Sequence, residues 1–425
     1  MAGKHVLFVT LGSLGDLYPY LALANEMQRR GFRATIATCS QHRLRVEQSG
    51  VLFRQVAPEL DFSDPIFQKR ALNERTGGRY FLRDTILPQT RASYQDLLEA
   101  SRDADLLVTH VLTFAGPIVA EKTGMPWVST VLAPLSFFSY VDAPVLAAPL
   151  TGMREWAPWL NAWINRIARF STRGWSSPVR QLRKELGLPA GGDPIFDGQH
   201  SPARVLALFS GILAKPPSDW PPQTVVTGFP FWEEKSGSQE DALRLEEFLA
   251  AGPAPVVFTL GSSAVMDPGR FYGESVAAAR KLKRRAILVG GVAPPGALRS
   301  GDDVLTLAYA PHSELFSKAC ACVHPGGIGT TARALQAGCP MLVVPFAHDQ
   351  PDNAARLVRL GVARTLSRNA YRADRAAEAL GALLGEARYR SKSEQVAREM
   401  RAEDGVGAAC SVLAACLTET RASRG

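Results

Sequence analysis

Short apolar runs alternate with amphipathic helical stretches along almost the whole chain, and this alternation restricts the fold more than any other feature. "HVLFVTL" precedes the helical "LALANEMQRR"; "RATIAT", "LFRQV", "DLLVTH", "WVSTV", "RVLALF" and "QTVVTGF" follow. Runs that are apolar throughout are buried on both faces, as in a parallel sheet covered by crossover helices. From Glu233 the texture turns polar and small ("EEKSGSQEDA"). The alternation then restarts with "PVVFTLGS", "RAILVGG", "VLTLAYA", "ACACV" and "PMLVVPF". The chain therefore reads as two α/β halves of similar size. A Rossmann-like domain is expected over 1–232, a linker over 233–250, a second Rossmann-like domain over 251–400 and a closing helix over 401–425. Ligands of such sheets lie outside the carboxyl ends of the strands, so two facing halves are expected to hold theirs in the cleft between them.

The 425 residues are 46% hydrophobic and 21% charged, a balance that permits large cores. The net charge of +8 comes largely from arginines spread along helices. It suits anionic phosphates or an acidic membrane surface, and it lacks the basic blocks of a nucleic-acid binder. None of the six cysteines (Cys39, Cys320, Cys322, Cys339, Cys410 and Cys416) is in a CxxC pair, and they read as reduced thiols of a cytoplasmic protein. The N-terminal run ends in glycines and Asp16, the pattern of a first strand and not of a signal peptide. The longest apolar stretch, from Val131, is broken by Asp142 and three prolines, so it reads as a loop wall. Between Met153 and Gly187, Trp156, Trp159, Trp163, Ile167 and Phe170 recur at helical spacing among arginines. The expected arrangement is a helix packed on the N-terminal half, with arginine stems over apolar surface. A lid over an apolar pocket and a membrane-surface helix are the alternatives.

"HPGGIGTTARALQAG", from His324 to Gly338, carries the chemistry. A strand, a glycine-rich turn and a helix start make an anion site, because the first helical amides lack partners and the helix dipole favours negative charge there. Gly326, Gly327 and Gly329 let backbone approach a phosphate, Thr330 and Thr331 offer hydroxyls, and His324 is a further donor. The same letters fit a dinucleotide fingerprint, Gly327-x-Gly329-x-x-Ala332, with Asp349 about twenty residues on. That reading makes the chain an NAD(P)-dependent oxidoreductase. It expects the motif on the first strand of its half, whereas here the strand is a late one.

Five segments, "LGSLGDLYPYLALANEMQRRGF", "FTLGSS", "YAPHSEL", "HPGGIGTT" and "AHDQPDNAARL", resemble in order and spacing the family 1 glycosyltransferases. The similarity is strongest to the bacterial branch with sterol, antibiotic and rhamnolipid-forming members. The resemblance implies the GT-B fold and a nucleotide-diphosphate sugar as co-substrate, with no metal and no other cofactor. It places His324, Gly326, Gly327, Gly329, Thr330 and Ser262 at the donor phosphates, Tyr309 on the nucleobase, and Asp349 and Gln350 on sugar hydroxyls. His312 stands where the family usually has glutamine. Ala332 and Arg333 stand where plant members have a ribose-binding glutamate, which leaves the choice between uridine and thymidine open.

Asp16 follows the first strand and stands three residues before Pro19, as the catalytic aspartate does in the bacterial branch; the other reading is an N-cap. The resemblance implies an inverting displacement in which Asp16 is the general base. His110 ends a strand near where plant members have an aspartate that supports their base; a reversed pair with Asp16 is one reading, and a partly buried polar residue is the other. "DAD" at Asp103–Asp105 precedes a strand and reads as a turn. Segments rich in Phe, Trp, Leu and Pro, from Ile66 to Tyr80 and from Leu135 to Leu188, suit a lipophilic acceptor such as a hydroxy fatty acid, sterol, polyketide or phenol. The expected setting is the cytoplasm, with contact to the inner membrane surface or to a lipid-synthesis enzyme as a further expectation. A non-catalytic nucleotide-binding subunit of a lipid-modifying complex is the remaining alternative.

Overall fold

The computed structural model describes residues 3–145, 158–233, 239–261, 265, 268–290 and 303–422. Contacts divide the chain into two compact units. The first comprises Met1–Phe62, Arg75–Trp232 and Glu403–Gly425, and the second Ser63–Glu74 and Glu233–Ala402.

The first unit is built on β1 (His5–Val9), β2 (Arg33–Thr38), β3 (Leu52–Gln55), β4 (Leu106–His110), β5 (Trp127–Val131), β6 (Val205–Ala207) and β7 (Thr224–Val226). They pair in parallel in the order β3-β2-β1-β4-β5-β6-β7. The second unit has β8 (Val256–Thr259), β9 (Ala286–Val289), β10 (Val304–Leu307), β11 (Ala321–His324), β12 (Met341–Val343) and β13 (Ala363–Thr365), parallel in the order β10-β9-β8-β11-β12-β13. In each sheet the first and fourth strands are neighbours, with Val6 opposite Leu106 and Val256 opposite Ala321. The connections run to opposite edges from that point, so the loops leaving the two strands diverge and open a crevice at their carboxyl ends.

The uniformly apolar strands are buried as their composition requires. In the first unit Phe8, Val108, Leu17, Tyr20 and Met27 form one core with Ala409, Cys410, Leu413 and Leu417 of the C-terminal helix Gly405–Ala422. The closing helix thus packs back on the N-terminal unit. In the second unit Phe258, Leu288, Val323 and Leu342 share a core with Leu72. Leu72 belongs to the 63–74 stretch, so part of the segment expected to line an acceptor pocket is core of the other unit.

Other local expectations meet physical facts that periodicity does not carry. Within the stretch expected as linker, Gln239–Ala250 is a helix that buries Leu245 and Phe248. Asp105 accepts the His5 N–H at 2.8 Å and Asp103 pairs with Arg33 at 2.7 Å, so both carboxylates of the "DAD" turn hold the amino ends of β1 and β2. The Trp-rich helix exists as Pro158–Thr172, but its aromatic stripe does not pack. Trp159, Trp163, Ile167 and Phe170 are 57–80% exposed. The inward face carries polar groups that found partners instead. Asn165 donates to the Phe138 carbonyl, and Arg169 lies over the Phe196 ring at 4.7 Å and pairs with Asp197. Trp156 falls outside the described residues.

Leu413→Ala removes a fully buried side chain that joins the last helix to the first core. It is expected to destabilise the protein by about 2–5 kcal/mol in chemical denaturation, against about 0.5 kcal/mol or less for the exposed Leu243→Ala.

Candidate functional site

In the first unit the chain leaves β1 and reaches Gly12 at φ +141°. A Cβ there would stand 2.2 Å from Asp16 Oδ2, so only glycine lets the carboxylate fold back onto the loop. Ser13 caps the helix Leu14–Arg29: its Oγ accepts from Gly15 N at 3.3 Å, while its own N–H donates to Asp16 Oδ2 at 2.8 Å. This is a capping box, with Asp16 at the third helical position and Ser13, not Asp16, as the cap.

The other carboxylate oxygen, Oδ1, lies 3.6 Å from Nε2 of His110, the last residue of β4. The structure therefore brings together the two residues singled out as catalytic, at the point where first and fourth strands are adjacent. Their exposures differ: 32% for the Asp16 side chain and 3% for His110. Burial drives the His110 pKa down to about 3, so its imidazole is neutral. A neutral ring at 3.6 Å is a polar neighbour of the carboxylate and not an ion pair. Asp16 alone is placed to meet a substrate. Nearby, Tyr20 sets its ring edge against His110, with centroids 6.1 Å apart, and bonds Thr130 through its hydroxyl. Sequence reasoning passed over His42, whose Nε2–H donates to the Gly12 carbonyl at 2.9 Å and fixes the loop. Leu11, Val56, Ile86, Leu97, Leu112 and Phe114 line a small pocket that reaches Thr10, whose hydroxyl donates to the Asp16 carbonyl at 2.9 Å.

In the second unit β11 delivers His324 to the glycine turn. Gly326 has φ +96°, and a Cβ on it would lie 2.8 Å from Val343 Cγ1. The helix Ile328–Ala337 begins at Gly327 with no side-chain cap, which leaves its first amides to a ligand. A Cβ at Gly327 or Gly329 would meet open space, so packing does not demand glycine there. His324 Nδ1 accepts from the Gly326 N–H at 3.1 Å. Burial holds the ring's pKa down to about 3, so it is neutral and its single proton is on Nε2. That N–H, Thr331 Oγ1 and Asn353 Oδ1 are buried with no hydrogen-bond partner among the described residues. Three such orphans around one turn call for a ligand, because an unmatched buried polar group costs about 1–3 kcal/mol.

Asn353 ties the neighbouring helix to this turn. Its Nδ2 donates to the Gly326 carbonyl at 2.9 Å and to Asp349 Oδ2 at 2.7 Å. Burial pushes the Asp349 carboxyl up to about 6, although the Asn353 bond works against that. The Gln350 amide oxygen accepts from Phe346 N at 2.8 Å and Ala347 N at 3.2 Å, so only its NH₂ remains to offer a ligand. Thr330 Oγ1 comes within 3.5 Å of the position a Cβ would take on Gly261, just past β8. His312, after β10, stacks on Phe316 at 4.8 Å, and its pKa is lowered to about 4 by burial. Tyr309 is half-buried in the same loop. Ser262 lies outside the described residues. Glu233, unmarked by any motif, accepts from Ser313 N at 3.2 Å and from the Ser313 hydroxyl, and it lies 3.6 Å from Arg333. Among the described residues no group of three or more His, Cys, Asp or Glu is arranged to hold a metal ion. The turn follows the fourth strand of its sheet, whereas a dinucleotide fingerprint belongs after the first.

Two outcomes check this geometry. Gly12→Ala forces the Asp16 carboxylate out of place and is expected to abolish most turnover. Ser13→Ala removes the cap, at about 1 kcal/mol of stability, and with it the longer of the two Ser13 bonds to Asp16 Oδ2, that from Oγ at 3.3 Å, so turnover is expected to fall far less than in Gly12→Ala; equal turnover losses would contradict the leading part of Gly12 in placing the carboxylate. For Asp349, burial disfavours the charged form. Ionising it therefore costs stability as pH rises from the ordinary carboxylate range through about 6, and only above that is it a full carboxylate. By calorimetry, the preference for nucleotide sugar over bare nucleotide is expected to weaken as pH falls through about 6, and Asp349→Asn to flatten the profile. An unchanged profile in the variant would contradict the sugar-binding role.

Comparison with known proteins agrees with this fold. A model described as the glycosyltransferase family 28 N-terminal domain matches residues 6–136, and one for the C-terminal domain of erythromycin biosynthesis protein CIII-like proteins matches residues 294–408. The chain is 33% identical over 373 residues to an O-mycaminosyltylonolide 6-deoxyallosyltransferase of Streptomyces fradiae, covering 84% of each protein. It is 28% identical over 434 residues to a sterol 3-beta-glucosyltransferase of Neurospora crassa, covering 94% of this chain but only 26% of that longer one. The crystal structure of the glycosyltransferase VinC in complex with dTDP superposes with a TM-score of 0.67 at 20% identity, over 98% of this chain and 100% of that one. Two parallel sheets of Rossmann-like order, a phosphate-type turn on the fourth strand of the second and these relatives together mean that the chain belongs to the family 1 glycosyltransferases and has the GT-B fold.

Proposed function

We propose that this glycosyltransferase moves a hexose, rhamnose or glucose, from a dTDP- or UDP-linked donor to a hydroxyl of a lipophilic small molecule, with inversion at the anomeric carbon. The observation that carries the donor assignment is the set of buried orphan groups at the glycine turn: His324 Nε2–H, Thr331 Oγ1 and Asn353 Oδ1. The N–H and hydroxyl, with the free amides of 328–330, are donors that match phosphate oxygens. Gly327, Gly329 and Thr330 form the helix start that receives the diphosphate, and the resemblance assigns Ser262 to the same phosphates. Tyr309 stacks on the base, His312 adjoins it, and Asp349 with the Gln350 NH₂ holds sugar hydroxyls. Ala332 offers the ribose no carboxylate, which favours a donor that needs none, and a dTDP-bound neighbour of the same fold supports thymidine.

The chemistry is a single displacement. Asp16 takes the proton of the acceptor hydroxyl as its oxygen bonds to the anomeric carbon. The bond from that carbon to the diphosphate oxygen breaks on the opposite side, and the leaving diphosphate keeps the electron pair. Its growing charge is met by the turn amides and the His324 N–H. Neutral His110, 3.6 Å from Oδ1, sets no positive charge beside the carboxylate, whose Oδ2 is held by the Ser13 N–H at 2.8 Å. For the acceptor we favour a lipophilic alcohol. The named relatives act on a macrolide and on sterols, which fits that class. A hydroxy fatty acid and a phenol belong to it as well. We place the enzyme in the cytoplasm, beside the membranes that hold such acceptors.

Asp16→Asn keeps the shape of the capping box and is expected to cost about 10²–10⁴-fold in kcat on alkyl alcohols. The loss is expected to be smaller on acidic phenols, which need less help to lose a proton. A screen of dTDP-rhamnose, UDP-glucose and NADH against sterol, macrolide, hydroxy-acid and phenol acceptors, read by mass spectrometry, checks the donor and acceptor classes. Equal losses on both acceptor types, with donor binding intact, would contradict the general-base role. Nucleotide binding without transfer to any acceptor would favour the non-catalytic reading.

A further inference from the structure

The helix Pro158–Thr172 is amphipathic in an unusual sense. Its large apolar side chains are the ones that face away from the unit. Trp159, Trp163, Ile167 and Phe170 are 69%, 57%, 64% and 80% exposed, and at 100° per residue they share one face of about a quarter turn. The neighbouring loop, tied to the helix by the bond from Asn165 to the Phe138 carbonyl, exposes Tyr140 and Val141. Soluble surfaces rarely gather this much contiguous large apolar side chain without a partner.

The charges around the stripe say what kind of partner. The helix contains no Asp or Glu. Arg169, Arg183 and Glu185 are matched by Asp197, Glu121 and Arg91, respectively. Arg166, on the apolar face itself, and Arg173 and Lys184 beyond it are exposed and have no ion-pair partner among the described residues. Tryptophans and a phenylalanine beside unmatched cations are what a membrane interface selects: aromatic rings settle at headgroup depth while cations meet anionic lipid. No described helix is long and apolar enough to cross a bilayer, so the helix would lie on the surface.

Two other occupants fit less well. A second copy of the chain, related by a twofold axis, would lay Arg166 and Arg173 against the same cations with no acid on the helix to answer them. A lid over an acceptor would turn the aromatic face inward, where Asn161, Asn165 and Arg169 are found instead.

We propose that the outward face of the Pro158–Thr172 helix anchors this enzyme on the surface of an anionic phospholipid bilayer. The anchor does not depend on which sugar or acceptor the enzyme uses, because it is read by lipid binding alone. The test is sedimentation of the full chain with vesicles of phosphatidylcholine, with and without phosphatidylglycerol. Wild type is expected to partition at least about tenfold more strongly onto the anionic vesicles. Trp163→Ser with Phe170→Ser is expected to lower that binding by about tenfold or more, and Arg166→Glu with Arg173→Glu to remove the preference for anionic lipid. Both variants change exposed side chains and are expected to keep the wild-type thermal midpoint. Quenching of wild-type tryptophan fluorescence by brominated lipid reads the same insertion without any variant. Wild type that stays in the supernatant, binds neutral and anionic vesicles equally, or forms a dimer that Trp163→Ser with Phe170→Ser dissolves would overturn the proposal. So would the apolar double variant binding vesicles as wild type does.

Discussion

Everything that matters chemically in this protein follows from the first and fourth strands of each sheet lying side by side. In a parallel sheet wound outward in both directions, those two strands end where no crossover helix covers them. In the first unit that point holds Asp16, just after β1, and His110, the end of β4. In the second it holds Gly261, past β8, and His324, the end of β11. The same winding thus produces an acid–imidazole pair in one unit and a phosphate-type turn in the other, with only a few residues at the strand ends differing.

Burial then sets the protonation of both histidines. Each is enclosed and held neutral, and each ring has one nitrogen directed by a neighbour: Asp16 beside His110 Nε2, and the Gly326 N–H on His324 Nδ1. For His324 this fixes the tautomer and leaves one N–H donor unmet. For His110 it leaves no imidazolium beside the carboxylate. A protonated His110 would neutralise the charge of Asp16 and weaken it as a base, so the low dielectric around the ring protects the basicity of the carboxylate.

Much of this was legible in the sequence, for definite reasons. Uniformly apolar runs announce buried parallel strands, and glycines at 326–329 announce a turn, so the two Rossmann-like units and the glycine-rich turn could be read directly. "SLGD" is a visible capping-box signal, and the alternative reading of Asp16 as the N-cap sets the cap three residues beyond Ser13, where it lies. Asp16 and His110 could be suspected as a pair because both stand at strand ends. Glu233 beside Ser313 and Arg333, and Leu72 in the core of the second unit, depend on long-range packing that no local pattern reports. The Trp-rich helix shows the limit most clearly. Periodicity identified which side chains share a face, but not that polar Asn165 and Arg169 would find partners inside while the aromatic face stayed outside.

The central claim is a single displacement at an anomeric carbon by an acceptor oxygen that Asp16 deprotonates. Its stereochemistry is the most direct test. With a donor of defined anomeric configuration, proton NMR of the product formed in the first turnovers reads the configuration of the new glycosidic bond. The account predicts the opposite anomer to that of the donor, whichever sugar and acceptor are used. A product that retains the donor configuration would require a second displacement or a front-face route and would contradict it.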